Sequence, residues 1–314
     1  MRLNFKPPAT DLRIGIDLGG TKIAGVMLDQ SETVINELRI DSPRNDYQRT
    51  LTTIADLVDQ LRGGRTSSFT VGLGIPGAIA PISQRVQNAN STWLNGQMLQ
   101  SDLETLLGYK IQCANDANCF VLSEAYDGSA ADSRSAFGVI LGTGCGGGFI
   151  INANLLNGPR NIGGEWGHNP LPWPKSNEIG ARTCWCGLEG CIETWIAGPG
   201  MAHDHLLETG ETLTAQTIAM HARLGDESAR ATLDRHLNRT ARSLAHVINI
   251  LDPEVIVLGG GLSAMAHLYD RLEREMEPYI FSADRKVDIR RPKWGDASGV
   301  RGAARLWQLA EVPV

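Results

Sequence analysis

Three cysteines and one histidine stand close together in this chain, and they are the first residues whose types and spacing point to chemistry. The stretch Glu165-Trp166-Gly167-His168-Asn169-Pro170-Leu171-Pro172-Trp173 is followed, after a polar run, by Cys184-Trp185-Cys186-Gly187-Leu188-Glu189-Gly190-Cys191-Ile192-Glu193. Thiolate and imidazole are the ligands of a closed tetrahedral Zn²⁺ site, and Cys-x-Cys-x₄-Cys behind a histidine supplies four: His168, Cys184, Cys186 and Cys191. The competing reading is three buried apolar thiols and a hydrogen-bonded core histidine; spacing and ligand type together favour the metal. Four protein ligands leave no position for an activated water, so the expected metal is structural, stabilising the local fold by on the order of 10 kcal/mol. Glycines at 187 and 190 allow the tight turns that aim thiolates at one point. Glu165 and Glu193 bracket the ligand set, although a purely structural knuckle has no need of them. They suggest a metal-fixed loop that presents acceptors to a polyhydroxylated ligand.

Two glycine turns carry a second signal. Arg13 to Asp29 reads as strand, turn, strand around Asp17-Leu18-Gly19-Gly20-Thr21-Lys22. Paired glycines let backbone N–H groups approach an anion, while Thr21 and Lys22 add a hydroxyl and a charge. Alone, this is a weak phosphate signal, and the Walker pattern Gly-x₄-Gly-Lys-Ser/Thr is absent. The pattern recurs from Phe137 to Ile151 around Gly142-Thr143-Gly144, which suggests a duplicated architecture with a nucleotide between the halves. Gly142-x-Gly144-x-x-Gly147 also matches the dinucleotide fingerprint. That fingerprint requires a helix to follow, whereas Gly148-Phe149-Ile150-Ile151 continues as strand.

A third candidate is Asp116. The short apolar run Tyr109 to Ala114 ends in Asn115-Asp116-Ala117-Asn118, and Cys119 to Tyr126 continues as helix. An aspartate at such a junction is ordinarily an N-cap. The carboxyl ends of strands in an α/β sheet are also where ligands sit, and a carboxylate beside an asparagine could accept a hydroxyl proton. Both readings stay open at this point.

The elements that must position these groups follow from periodicity. Val34 to Ile40 reads as a third strand, Tyr47 to Leu61 as a core-facing helix, and Thr70 to Gly77 as a strand running into a turn. Asn88 to Trp93 is a polar loop, ligand-facing or simply solvated. Gly225 to Ile250 carries a long amphipathic helical pattern. Val255-Ile256-Val257-Leu258 delivers Gly259-Gly260-Gly261 to a helix start, which is either a nucleotide platform or a tight turn. Ser298 to Leu309 reads as a last helix. The expected domains are 1–116 and 117–297, with a helix at about 298–310 packing back on the first.

Composition narrows the class. A chain of 314 residues has room for two ordinary domains. The balance of 29 basic against 35 acidic residues, net −6, argues against a general nucleic-acid or membrane-surface binder. No apolar run approaches the ~20 residues of a transmembrane helix, and Met1 to Asp11 has no apolar core of a signal peptide. Cys113, Cys119 and Cys145, outside the metal candidate, fit reduced thiols in a cytoplasm.

Taken together, the residues resemble the ROK family of sugar kinases, with the α/β, duplicated, ribonuclease H-like architecture of the actin-like ATPase fold and a nucleotide cleft between its halves. The likeness covers nearly the whole chain and rests on an ordered set of motifs. These are the Asp17 to Lys22 turn, Asn115-Asp116, Leu141 to Gly147, Glu165-Trp-Gly-His168, the Cys184 to Glu193 knuckle and Leu258-Gly-Gly-Gly261. Within the family, Asn88 to Gly96 and Glu165 to Trp173 are most similar to bacterial fructokinases of the manno(fructo)kinase type. Gly163 departs from the alanine that relatives often have there.

The resemblance implies ATP and Mg²⁺ beside the Zn²⁺, with Asp116 as general base toward a sugar hydroxyl. It implies that Asn115, Glu165, His168 and Glu193 hydrogen-bond the sugar. Asp17, Gly19, Gly20, Thr21, Lys22, Gly142, Thr143 and Gly144 would serve the nucleotide, with Gly260 against the adenosine. D-fructose is the expected sugar, with mannose, glucose and N-acetylated hexosamines as alternatives, and a homodimer is expected by the same likeness. The sugar-responsive repressors of the family need a DNA-reading domain ahead of the first hairpin; about a dozen residues precede Ile14, so catalysis is the expectation.

Overall fold

In the computed structural model, residues 5–6, 10–180 and 182–309 are described. Most of the Met1 to Asp11 segment read above as lacking a signal peptide, and residue 310 of the expected last helix, lie outside them. The strands are β1 (Leu12–Leu18), β2 (Lys22–Asp29), β3 (Val34–Asp41), β4 (Phe69–Ile75), β5 (Ala78–Ile79), β6 (Val86–Gln87), β7 (Gln112–Asn115), β8 (Ser135–Leu141), β9 (Cys145–Ile151), β10 (Asn154–Leu155), β11 (Val255–Gly259) and β12 (Ile289–Arg290). The helices are α1 (Tyr47–Arg62), α2 (Leu99–Leu107), α3 (Asp116–Tyr126), α4 (Glu193–Ile196), α5 (Gly198–Thr209), α6 (Ala215–Arg223), α7 (Glu227–Leu251), α8 (Ala266–Met276) and α9 (Ser298–Ala303).

The chain forms two compact units. Unit 1 holds Met1–Arg134, Gly148–Gly164 and Lys293–Val314; unit 2 holds Ser135–Gly147 and Glu165–Pro292. The division falls later than the expected boundary after Asp116. The cause is α3, whose buried Glu124 accepts from the backbone N–H groups of Lys293 (2.9 Å) and Trp294 (3.2 Å) and from Ser298 Oγ (2.7 Å). One carboxylate thereby binds the approach to α9 onto α3.

Unit 1 is built on a sheet of order β3-β2-β1-β4-β7. β1, β2 and β3 run antiparallel, while β4 and β7 are added in parallel. Central β1 is apolar and buried almost throughout, as a strand covered on both faces must be, whereas edge β3 alternates between exposed and half-buried positions. α1 turns Leu51, Ile54, Leu57, Val58 and Leu61 inward at helical spacing. Asp46 caps its start, and Gly63, at φ 56°, ends it in the left-handed conformation. α9 lies against the sheet backbone on backbone. A Cβ on Gly15 of β1 would lie 2.0 Å from the Val300 carbonyl oxygen, and one on Gly72 of β4 1.9 Å from that of Ala303. α9 ends at Ala303, with Leu306–Gln308 forming a separate 3₁₀ turn, so the single helix expected to Leu309 is interrupted. Two glycines weaken the helix, and the buried Arg305 guanidinium is drawn aside to Glu32 and Asp127, both at 2.7 Å.

Unit 2 contains the second glycine turn, in which the Gly142 N–H donates to the Gly144 carbonyl at 3.0 Å. β11 runs parallel to β8, and β12 parallel to β11. The second sheet has the order β10-β9-β8-β11-β12, the same connectivity as the first: three strands by hairpins, then two added in parallel. α7 is its longest helix, started by Asp226, which accepts from the N–H groups of Ser228 and Ala229.

Candidate active site

The chemistry of unit 1 centres on two carboxylates at strand ends. Asp17 stands near the end of β1, opposite Gly74 of β4. Asp116 is the first residue of α3, directly after β7. The N-cap is Asn115, not Asp116: Asn115 Oδ1 accepts from the Ala117 N–H at 2.9 Å, and its Nδ2 donates to the Gly77 carbonyl at 3.1 Å. Asp116 Oδ1 shares the Ala117 N–H at 2.8 Å. The cap is filled by the neighbour, so Asp116 is not needed to start the helix.

Burial raises the Asp116 carboxyl to about 6, against the lowering effect of the Ala117 N–H and Asn115. Asp17 is raised to about 7, first by burial and then by the charge of Asp116, with Arg39 opposing. Neither has an ion-pair partner among the described residues. Both carboxyls are thus raised toward neutrality, the range in which a general base works best.

The first glycine turn is tied to its surroundings by charged groups. The Gly19 N–H closes the turn onto the Lys22 carbonyl at 3.0 Å. Lys22 Nζ is paired with Asp41 on β3, and Thr21 Oγ1 accepts from Arg44 Nη2 at 3.0 Å. A Cβ on Gly20 would meet Ser91 Oγ at 3.2 Å. Arg44 was not visible as a site residue in the sequence, because nothing in its neighbourhood marks it. The Asn88 to Trp93 loop is pinned by Asn95, whose side chain both accepts from the Ala89 N–H (2.8 Å) and donates to its carbonyl (2.9 Å).

In unit 2 the structure brings the expected metal ligands together. The donor atoms of His168, Cys184, Cys186 and Cys191 all lie within 4.8 Å of one another. Cys184 Sγ is 3.6 Å from His168 Nδ1, and Cys186 Sγ is 3.6 Å from Cys191 Sγ. Zinc bonds of about 2.3 Å to sulfur and about 2.0–2.1 Å to nitrogen, at tetrahedral angles, imply separations of roughly 3.6 Å for S···N and roughly 3.8 Å for S···S. The donor set therefore fits such an ion. The turn is closed by Cys184 N–H to the Leu188 carbonyl (2.8 Å) and Gly187 N–H to the Cys184 carbonyl (3.0 Å). Because Nδ1 faces the thiols, Nε2 is the nitrogen left for the second role expected of His168.

Trp166 and Gly167 explain how His168 reaches that point. Trp166 Nε1 donates to the Gly146 carbonyl at 3.0 Å, and its ring stands edge-on to Phe137. A Cβ on Gly167 would lie 2.2 Å from the Cys145 carbonyl oxygen. The segment from Glu165 thus docks on the second glycine hairpin. Glu193 joins them: Oε1 accepts from Trp185 Nε1 at 2.7 Å and Oε2 from the Cys145 N–H at 2.8 Å.

Beside this hairpin lies a cavity of about 510 Å³, lined by Gly142, Thr143, Gly198, Thr214, Gly261 and Leu262 among others. Gly144 faces Glu193 instead, and Gly260, at φ 78°, packs against the Leu141 carbonyl, where a Cβ would come within 2.4 Å. The Gly142 carbonyl accepts from the Gly198 N–H at the start of α5 (2.8 Å). A second cavity of about 530 Å³ meets the first at Thr143 and Pro199 and reaches Cys184, Trp185 and Glu193.

A duplicated sheet of this connectivity, with glycine turns and half-buried strand-end carboxylates, defines an actin-like ATPase fold. The ROK family model matches residues 13–310, and the chain belongs to the ROK family. It is 38% identical over 296 residues to an N-acetyl-D-glucosamine kinase of Yersinia enterocolitica, spanning 93% of this chain and 98% of that one. It is also 38% identical over 302 residues to an N-acetyl-D-glucosamine kinase of Pasteurella multocida, spanning 94% and 99%. Among solved structures, a ROK hexokinase from Thermus thermophilus superposes with a TM-score of 0.80 at 27% identity, covering 93% and 96% of the two chains. A ROK family glucokinase from Streptomyces griseus, in complex with glucose and AMPPNP, shares the fold with a TM-score of 0.76 at 23% identity, covering 94% and 98%. These relatives do not support the fructokinase subtype that two motifs had suggested.

Proposed function

We propose that this protein is an ATP-dependent hexose kinase with Asp116 as its general base, and that its sugar is N-acetyl-D-glucosamine. The observation that carries the kinase reading is Asp116 itself: a half-buried carboxyl at a strand end, with Asn115 as the helix cap beside it, and raised to about 6. Such a group accepts the proton of an attacking hydroxyl near neutral pH, worth about 10²–10⁴ in rate. The choice of sugar rests on the activity for which the relatives at 38% identity are named.

In this reading Asn115 donates to a sugar hydroxyl, and Glu165 and His168 accept from others. Glu193 uses lone pairs left beyond its two protein bonds. The hydroxyl oxygen attacks the γ-phosphoryl as its proton passes to Asp116, and the bond from the γ-phosphorus to the β,γ-bridging oxygen breaks to release ADP. Thr143 and the glycine turns orient the phosphates by backbone N–H groups, and the cavity at Gly142 and Gly261 takes the adenosine. Asp17 is the carboxylate available to Mg²⁺, which when bound neutralises charge on the phosphate oxygens. His168, Cys184, Cys186 and Cys191 would hold zinc, which would supply a fixed loop geometry rather than an activated water.

The likeness of Asn88 to Gly96 to fructokinases favours fructose as a second reading. Sugars that differ by one small group can be separated by only ~1–3 kcal/mol in a pocket, so a few loop side chains decide between them. A coupled assay of ADP release should therefore compare N-acetyl-D-glucosamine, fructose, mannose and glucose. N-acetyl-D-glucosamine is expected to give the highest kcat/KM. A preference for fructose would replace the sugar assignment, and no turnover with any hexose would overturn the kinase reading.

A further inference from the structure

Trp185 is an exposed indole in an unusual place. It sits between Cys184 and Cys186, with 58% of its surface in solvent, so core packing does not account for it. Two contacts do. Its ring stands edge-on to His168, with centroids 5.0 Å apart at 87°, and its Nε1 donates to Glu193 Oε1 at 2.7 Å. The other oxygen of Glu193 accepts from the Cys145 backbone N–H at 2.8 Å. Cys145 follows Gly144 directly, and a Cβ on Gly144 would lie 2.8 Å from Glu193 Oε2. A continuous line of contacts runs from the cysteine–histidine cluster through Trp185 and Glu193 to the Gly142–Thr143–Gly144 turn. Thr143 of that turn lines both adjoining cavities.

We propose that Trp185 is a positioning residue: its indole N–H holds Glu193 against the Cys145 amide, so that metal occupancy of the knuckle sets the geometry of the nucleotide-side glycine turn. The inference rests on reading that turn as part of the nucleotide site. The physical reason is that a carboxylate gripped from both sides by N–H donors is fixed in rotamer, and bonds to an ionised acceptor are among the stronger ones. A glycine turn has no side chains of its own to resist when its support moves. Metal and nucleotide should then be linked reciprocally: each raises the affinity for the other by one common factor.

Trp185→Phe keeps the ring against His168 and removes only the donor. We expect full zinc content by elemental analysis, a shifted Cys145 amide resonance, and a dissociation constant for a non-hydrolysable ATP analogue raised by about 5-fold or more. Removing the metal from the wild-type protein should move the same resonance and raise the same constant. Removing it from Trp185→Phe should add nothing further. Gly144→Ala, which disturbs Glu193 from the turn side without touching the cluster, should reproduce the weaker binding with zinc retained, and it decides the matter if Trp185→Phe loses metal. An unmoved Cys145 amide in Trp185→Phe and after metal removal would overturn the proposal. So would unchanged analogue affinity in both variants. A wild-type protein that binds no nucleotide would instead overturn the reading of the turn, while the Cys145 resonance still reports on the contact through Glu193.

Discussion

Two sets of carboxylates are enclosed in this molecule, and they behave in opposite ways. In unit 1, Asp17 and Asp116 have no ion-pair partner among the described residues, and both are raised to near neutrality. In unit 2, Glu178 and Asp204 are also buried, and burial pushes them up as well. Glu178 nevertheless lies below its ordinary value, because Arg239 (2.8 Å) and Arg242 (2.9 Å) outweigh that push. Asp204 is lowered in the same way by Arg239 (2.6 Å) and Arg235 (2.7 Å). Desolvation pushes both sets upward; the partner is what differs. Enclosed and partnered carboxylates knit α5 and α7 to the segment before the knuckle, whereas enclosed and partnerless ones keep a proton available for exchange.

That contrast can be broken at either end. The largest effect is expected for Asp116→Asn, which should lower kcat by about 10²–10⁴ while the protein still binds sugar and nucleotide. For the unaltered protein, kcat should fall as pH drops through about 6, because only the ionised form accepts a proton. A profile flat from pH 5 to 8 would exclude Asp116 as the base. Next comes Glu178→Ala, which leaves Arg242 buried without its counter-charge and Arg239 paired with Asp204 alone. It should cost roughly 3–5 kcal/mol in denaturant unfolding, and a loss below about 1 kcal/mol would erase the distinction.

Asp17→Asn should act in the reverse sense. The folded value of about 7 lies above the ordinary 3.8, so the stability linked to this group is present at low pH and lost as pH rises through about 7. The variant should match the unaltered protein near pH 4 and exceed it near pH 8 by on the order of 1 kcal/mol in thermal or denaturant unfolding. The smallest effect is expected for Lys22→Ala. Its pair with Asp41 is exposed on both sides, at 54% and 84%, and should contribute about 0–1 kcal/mol to stability.

How much of this could be read in the sequence depended on whether the signal was local. Both strand–turn–strand units and the Cys/His spacing were legible, because a hairpin or knuckle is specified by neighbours within a few residues. α1 and α7 were legible from apolar periodicity. Asn115 and Asp116 were found as a pair, but the cap role was considered for Asp116, whereas Asn115 fills it. Glu124, Trp185, Arg44 and the Glu178–Asp204 cluster were missed. Each acts on groups distant in the chain, such as Glu124 on Ser298 or Glu178 on Arg242, and no period or motif encodes such meetings. For the sugar, two short loops pointed to fructose, whereas similarity along the whole chain lies with N-acetyl-D-glucosamine kinases.

The seating of α9 on β1 and β4 has a temporal consequence. Strand Leu12–Leu18 leaves a ribosome well before α9 does, yet the surface it offers through Gly15 is completed by Val300, and Arg13 is held by Gln308 at 2.8 Å. At ~5–20 residues per second, the early sheet waits on the order of 15–60 s for its cover. During translation unit 1 is therefore an unfinished half, and its glycine-bared strands should be the part of the nascent chain most in need of chaperone protection.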